Sequence, residues 1–358
     1  MTIPFPQTLQ NLSEKFFPRI SGKSPLPKIS RRIGLNIGKA NIVGCEVSVE
    51  GDRVTLERCG RIKISAEGSL SDQLQNFCKN AGFQSNKVRL SLKGQGVVIR
   101  FLQFPKMTRE EFSSSIQYEA EKYLPFNLAD VVLDYHFPVT QGDSGQKTVE
   151  VILVAVRKME VDKMMALVKP TGLTVEAIDL DAFACVNALE YSVLEIKSQT
   201  VGMIDFGAGD TTLCICHLGH VVFSRDIAFG GNDMTELIRR KLNTTAEEAH
   251  RIQHEKTLEP PEHLLAVQEV LDRLFQEIKL SLNYYANQHP DAAQVQTLYV
   301  SGGFSQLAVL ANSLQDKFQI PVKRWNPTEK MTLNSSISQE QLNDVISYLP
   351  VAVGLAIR

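Results

Sequence analysis

The chain has 358 residues, 43% of them hydrophobic and 22% charged, with a formal net charge of −2. That length exceeds the usual single domain and calls for two or three packed units. The near-neutral balance excludes the basic excess of a nucleic-acid binder, and no run reaches the roughly 18 apolar residues of a membrane span or forms a secretory signal, so a cytoplasmic protein is expected.

Residues 1–32 stand apart, with five prolines and six basic residues (Lys15, Arg19, Lys23, Lys28, Arg31, Arg32) against one acid, Glu14. Leu9, Leu12 and Phe16 fall at helical spacing beside Phe17, which would suit a short helix on an anionic membrane. Pro4, Pro6 and Pro18 leave such a helix little length, and a solvated tail is the expected state.

From Ile33 the pattern predicts three antiparallel strands, "RIGLNIGKANIVGCEVSVEGDRVTLERCGRIKI", with a Gly51–Asp52 turn between the second and third. A helix over 69–81 follows, with Gly82 as its C-cap. Two strands, "KVRLSL" and "GVVIRFLQFP", come next. Thr108-x-x-Glu111 is a capping box that opens a helix with Phe112, Ile116, Ala120 and Tyr123 on one face, stopped by Pro125. Strands "VVLDYHFPV" and "TVEVILVAVR" are joined by the polar turn "TQGDSGQK". A helix over 158–170, the strand "TVEAIDL" and the apolar helix "AFACVNALEYSV" lead to "VGMIDFGAGDTTLCICHLGHV".

That segment repeats the first strands. With Asn36 set on Asp205, Ile37 falls on Phe206, Gly38 on Gly207, Asn41 on Asp210 and Cys45 on Cys214, which indicates an internal duplication of a β-hairpin unit. Beyond it, "AFGGNDMTELIRRKL" gives a glycine turn and a helix, and "TTAEEAHRIQHE" a second helix capped by Thr244 or Thr245. A long helix over 264–287 carries Leu271, Leu274, Phe275, Ile278, Leu282 and Tyr285 on its apolar face, with Glu277, Lys279 and Ser281 off it. The strand "TLYVSGGFSQL" turns into a helix at two glycines, and "YLPVAVGLAIR" closes the sequence. The six cysteines (Cys45, Cys59, Cys78, Cys185, Cys214, Cys216) lack C-x-x-C spacing and read as core thiols. His250 and His254 stand at i, i+4 among Glu247, Glu248 and Glu255, as on a solvated face rather than a metal site.

Three glycine turns carry the chemistry: Gly38, Gly207 and the pair Gly302–Gly303. Glycine lets backbone N–H groups approach a phosphate chain closely, and the hydroxyls of Thr211 and Thr212 could add donors. A carboxylate at the strand tip, Asp205, would position a magnesium ion through water, since magnesium keeps most of its hydration shell.

Together these motifs resemble the actin-like ATPase superfamily of actin, Hsp70, sugar kinases and FtsA. In that resemblance "GLNIGKAN" occupies the first phosphate hairpin, "IDFGAGDTT" the second, "GGNDMT" the turn near the ribose and "YVSGGFSQL" the adenosine motif. The segment "SIQYEAEKYLPFNLADVVLDYHF" is similar to the inserted subdomain of the FtsA-like PilM family of type IV pilus assembly, and "EIKLSLNYY" to its adenine-side helix.

The resemblance implies an α/β, actin-like (duplicated RNase H-like) two-domain fold with an FtsA/PilM-type insert. It divides the chain into a basic extension (1–30), a first subdomain (31–85 and 166–197), the insert (86–165) and a second domain (198–358). The adenine-side helical part falls at 230–292, and the C-terminal helix returns to the first subdomain. The implied ligand is ATP or ADP with magnesium held through water by Asp205. The implied nucleotide-binding residues are Asn36, Gly38, Lys39, Ala40, Asn41, Asp205, Gly207, Gly209, Asp210, Thr211, Thr212, Gly230, Gly231, Glu277, Ser281, Ser301, Gly302, Gly303 and Phe304.

The implied function is a cytoplasmic scaffold, peripheral at the inner membrane through a partner. That partner is a PilN-like inner-membrane protein whose N-terminal peptide docks between the first domain and the insert, near "RFLQFP" and "EKYLPFNL". The alternatives are an FtsA-like filament-forming adaptor, which would want a C-terminal amphipathic helix that this sequence does not show, and a small-metabolite kinase. Self-association stays open.

The chain departs from the family pattern at Asn36, where an aspartate is usual, and at Lys39, where a serine is usual. Lys39 either takes over charge compensation from the metal or points into solvent while the Asn36 amide caps the turn. Asp181, Asn187 and Glu190 lie where the superfamily keeps its water-orienting residue, but they read as helix-surface polar residues. Binding with slow or absent turnover is expected.

Overall fold

The computed structural model describes residues 30–138, 148–255, 258–290 and 294–358. The basic extension and the "TQGDSGQK" turn fall outside them. β1 (Ser30–Ile37), β2 (Asn41–Glu50) and β3 (Arg53–Lys63) form the expected antiparallel meander. Helix α1 (Leu70–Ala81) is capped by the Ser69 hydroxyl on the Asp72 N–H and closed by Gly82 in the left-handed region, and it buries Leu74 and Phe77. β4 (Lys87–Leu92) then lies parallel to β1 on the side away from β2.

The chain next leaves this sheet. β5 (Val97–Pro105), α2 (Arg109–Glu119), β6 (Val131–His136) and β7 (Thr148–Arg157) build a separate three-stranded antiparallel sheet in the order β5-β7-β6. The Thr108–Glu111 capping box opens α2, whose Phe112 and Ile116 face Phe104, Val151 and Leu153 in a small core. α3 (Lys158–Val168) returns the chain to β8 (Thr174–Leu180), parallel to β4, and α4 (Asp181–Ser192) follows, buried along most of its length.

The second half repeats the first. β9 (Thr200–Phe206), β10 (Thr211–His217) and β11 (His220–Ile227) form a meander. After α5 (Gly231–Leu242), α6 (Ala246–His254) and α7 (Pro261–Gln288), β12 (Thr297–Ser301) lies parallel to β9. After α8 (Leu310–Phe318), β13 (Val322–Arg324) lies parallel to β12. The order β11-β10-β9-β12-β13 matches β3-β2-β1-β4-β8 strand for strand.

The likeness reaches single residues. The alignment of Asn36 with Asp205 carries Glu46–Val47 onto Ile215–Cys216, and the antiparallel register slips at that step in both hairpins. The Gly38 N–H donates to the Asn41 carbonyl at 2.9 Å, and the Gly207 N–H to the Asp210 carbonyl at 3.0 Å. The same turn is built twice.

Two divisions differ from the sequence reading. β4, placed in the inserted segment 86–165, is a central strand of the first sheet, because Val88, Leu90 and Leu92 are buried between its neighbours. From the segment 198–358, β14 (Thr332–Leu333) pairs with β3 at Thr55 and Leu56. α9 (Gln339–Val345) follows, and α10 (Pro350–Ile357) packs on β1 and α4. A Cβ on Gly34 would stand 1.8 Å from the Ala352 carbonyl oxygen, and one on Gly354 1.7 Å from that of Ala184. Backbone meets backbone there, and only glycine fits.

Candidate functional site

β1 and β4 run parallel, so their C-terminal ends reach the same sheet edge, where ligands of open α/β sheets commonly sit. β9 and β12 do the same in the second sheet. The turn after β1 faces the turn after β9 across the junction. Lys39 of the first turn lies along Gly209 of the second, where a Cβ would come within 2.2 Å of the Lys39 Cδ. The Lys39 ammonium stands 3.2 Å from Asp210 Oδ2. It is therefore paired with the second turn rather than turned only to solvent, although the side chain is 62% exposed.

A second ammonium comes from Lys93, which follows β4. Its Nζ is 2.6 Å from Asp210 Oδ1 and 3.7 Å from Asp181 Oδ2. A Cβ on Gly207 would stand 3.2 Å from this nitrogen and 2.7 Å from the Asp210 carbonyl oxygen. The two glycines of the second turn thus make room for two lysines. Burial works against the Lys93 charge, but the carboxylates of Asp181, Asp210 and Asp205 outweigh it and raise its pKa above the ordinary lysine value. Burial would likewise raise the Asp210 pKa, yet Lys93 and Lys39 hold it below the usual carboxylate range.

The Asn36 amide reaches away from its turn, to β4 and α4. Its amide donates to the Ser91 hydroxyl at 3.3 Å and to both Asp181 carboxylate oxygens at 3.2 Å. Asp181, expected on a helix surface, is buried at the start of α4, and Asn187 is buried with its amide 3.5 Å from Asp179 Oδ2. Asp205 accepts a hydrogen bond from the Ser301 hydroxyl at 2.8 Å, as the pairing of β9 with β12 sets these residues side by side. Burial raises the Asp205 pKa, and Lys93 and Ser301 oppose the rise.

Several predicted residues serve the scaffold. The Thr211 hydroxyl donates to the Phe229 carbonyl and the Thr212 hydroxyl to Asp226, both at 2.7 Å, so these donors are spent within the protein. At the start of α5, the Gly230 N–H goes to Asp233, the Gly231 N–H to the Gly207 carbonyl and the Asn232 N–H to the Ala208 carbonyl. This glycine turn therefore buttresses the second hairpin. The Ala40 carbonyl accepts from Ile64, and Asn41 Oδ1 from Arg61.

Gly302 donates to the Ser347 carbonyl, a Cβ on Gly303 would meet the Tyr348 ring, and Phe304 packs edge-on against Phe206, buried in the second core. From β11, Arg225 binds Ser281 Oγ and Glu277 Oε2 of α7 at 2.9 Å each. Ser281 is fully buried and not off the packed face as expected, its hydroxyl donating back to the Glu277 carbonyl. Thr245 caps α6, through Glu248. In the insert, Phe104 and Tyr123 pack on each other, and the Arg157 guanidinium covers the Phe126 ring at 4.5 Å.

Lys93 and Ser91 escaped the sequence reading. "RLSLKG" shows a strand and a turn, but nothing local marks a lysine there as a site residue; the signal is the parallel pairing of β4 with β1.

A family model described as type IV pilus assembly protein PilM matches residues 34–358. A solved PilM-PilN type IV pilus biogenesis complex is similar at 26% identity and a TM-score of 0.81, covering 93% of this chain and 99% of that one. The ethanolamine utilization protein EutJ from Carboxydothermus hydrogenoformans shares the fold at 14% identity and a TM-score of 0.52, over 98% and 97% of the two chains. Cell division protein FtsA of Bacillus subtilis is 31% identical over 104 residues, which are 29% of this chain and 23% of that relative's length.

Proposed function

Because the chain belongs to the type IV pilus assembly protein PilM family, we propose that it is a nucleotide-binding scaffold of pilus assembly. It docks the cytoplasmic N-terminal peptide of a PilN-like inner-membrane protein and is held at the membrane by that partner. The observation that supports the partner is the overlay on 99% of one chain of the PilM-PilN complex. Among the described residues no helix is long and apolar enough to cross a membrane, so an attachment through the partner needs no span of this chain's own. The proposed division is a first domain, an insert and a second domain, with β4 and β14 counted to the sheet of the first.

Two like turns facing one another, with two ammonium groups between them, suit the phosphates of ATP or ADP. The magnesium expected at Asp205 fits this side-chain set poorly. The Lys93 ammonium already stands among Asp181, Asp205 and Asp210, in the place beside these carboxylates that a cation would take.

Turnover is expected to be slow or absent, because Asp181 is buried and held by the Asn36 amide and Lys93. Hydrolysis needs a group free to orient water. Capture of a synthetic N-terminal peptide of the PilN-like protein, with and without ATP, tests the scaffold. Binding is expected, and failure under both conditions would overturn it.

A further inference from the structure

We propose that Lys93 and Lys39 are the resident cations of this cleft and that Asp210 holds the place of a phosphate between them, so that nucleotide binds without a divalent ion by displacing Asp210. The inference rests on the nucleotide reading of the same site. Its ground is geometric. One carboxylate spans both lysines, with Oδ1 2.6 Å from Lys93 and Oδ2 3.2 Å from Lys39, much as a phosphate with two free oxygens would. The lysines come from the first half of the chain and Asp210 from the second, so the contact also ties the two turns together.

The second turn is cut to the lysines. A side chain at position 207 would crowd the Lys93 nitrogen and one at 209 the Lys39 stem. Lys93 cannot leave cheaply, since it is only 21% exposed and lies against Asp181 as well. Lys39 is mostly exposed and free to follow an entering ligand. Asp205 faces Ser301, and Asp226 is bonded to Thr212, so neither spans the lysines as Asp210 does. While Asp210 spans both ammoniums, an incoming polyphosphate finds neither free until Asp210 gives way. Asp210 is therefore the competitor that sets the affinity.

The test is calorimetric titration of the full chain with ATP and with ADP, in excess EDTA and again in excess magnesium chloride. Wild type is expected to bind in EDTA. Lys93→Met is expected to lose about ten- to a hundredfold there, the range of a lost charged hydrogen bond. Asp210→Asn is expected to bind more tightly than wild type in EDTA, and since it leaves both lysines in place it serves even where Lys93→Met does not fold. Wild-type binding seen only with magnesium would overturn the inference while leaving the nucleotide reading intact. So would Asp210→Asn binding more weakly than wild type in EDTA. Absence of binding in both buffers would overturn the nucleotide reading and this inference with it.

Discussion

Gly209 shows how a single missing methyl group shapes the cleft. A Cβ there would overlap the Lys39 stem, which is flexible and can swing away, so Gly209→Ala is expected to cost little stability but to move an ammonium off the site. Nucleotide affinity should fall by about tenfold with the melting temperature nearly unchanged, as calorimetry and thermal unfolding would show. Asp134 on β6 gives a prediction in pH. Burial, with a smaller push from Asp179, raises its pKa to about 7, although the Tyr135 N–H on Oδ1 at 2.8 Å works the other way. The folded pKa lies above the unfolded value of roughly 3.9, so the native state keeps a proton that the unfolded chain releases. Its stabilising contribution is full below the unfolded value and is lost as pH rises to about 7. Asp134→Asn keeps the acceptor and removes the titration. Its gain over wild type in urea midpoint is expected to grow from pH 5 to pH 8; an equal gain at both would refute the charge argument.

Among the elements, the last helix depends on shape and α2 on its cap. α10 has no polar face and meets β1 and α4 backbone to backbone at Gly34 and Gly354. A methyl at position 354 would have to push two main chains apart, so Gly354→Ala is expected to cost more than about 3 kcal/mol, measured by chemical denaturation. Thr108→Ala removes one hydrogen bond of a reciprocal cap and should cost about 1 kcal/mol, confined to the insert. Hydrogen exchange along α2 would show whether that loss stays local. α2 was legible from the sequence by its capping box, whereas the last helix came only from the family resemblance. The close approach at Gly354 was not legible, because a glycine in an apolar run looks the same whether it faces backbone or open space.

At the scale of the molecule, the ion pairs of Asp210 join one half of the chain to the other, and a ligand bridging the same turns should stiffen the junction. ATP at about a hundred times its dissociation constant is expected to add about 2.7 kcal/mol of stability, read as a rise in melting temperature. No rise at any concentration would contradict binding to the folded state. The duplication was written in the sequence because a glycine turn and a strand pair are local events, fixed by a few neighbouring residues and repeated in order. The opening of α2 was local in the same way. The membership of β4 and β14 in the first sheet was settled only by packing, as was the fate of the Thr211, Thr212, Gly230 and Gly231 donors, since each depends on partners far along the chain. Lys93 is the sharpest case. An ammonium at the end of a short strand has no local mark, and it becomes the centre of the site only when parallel pairing sets it beside the turns.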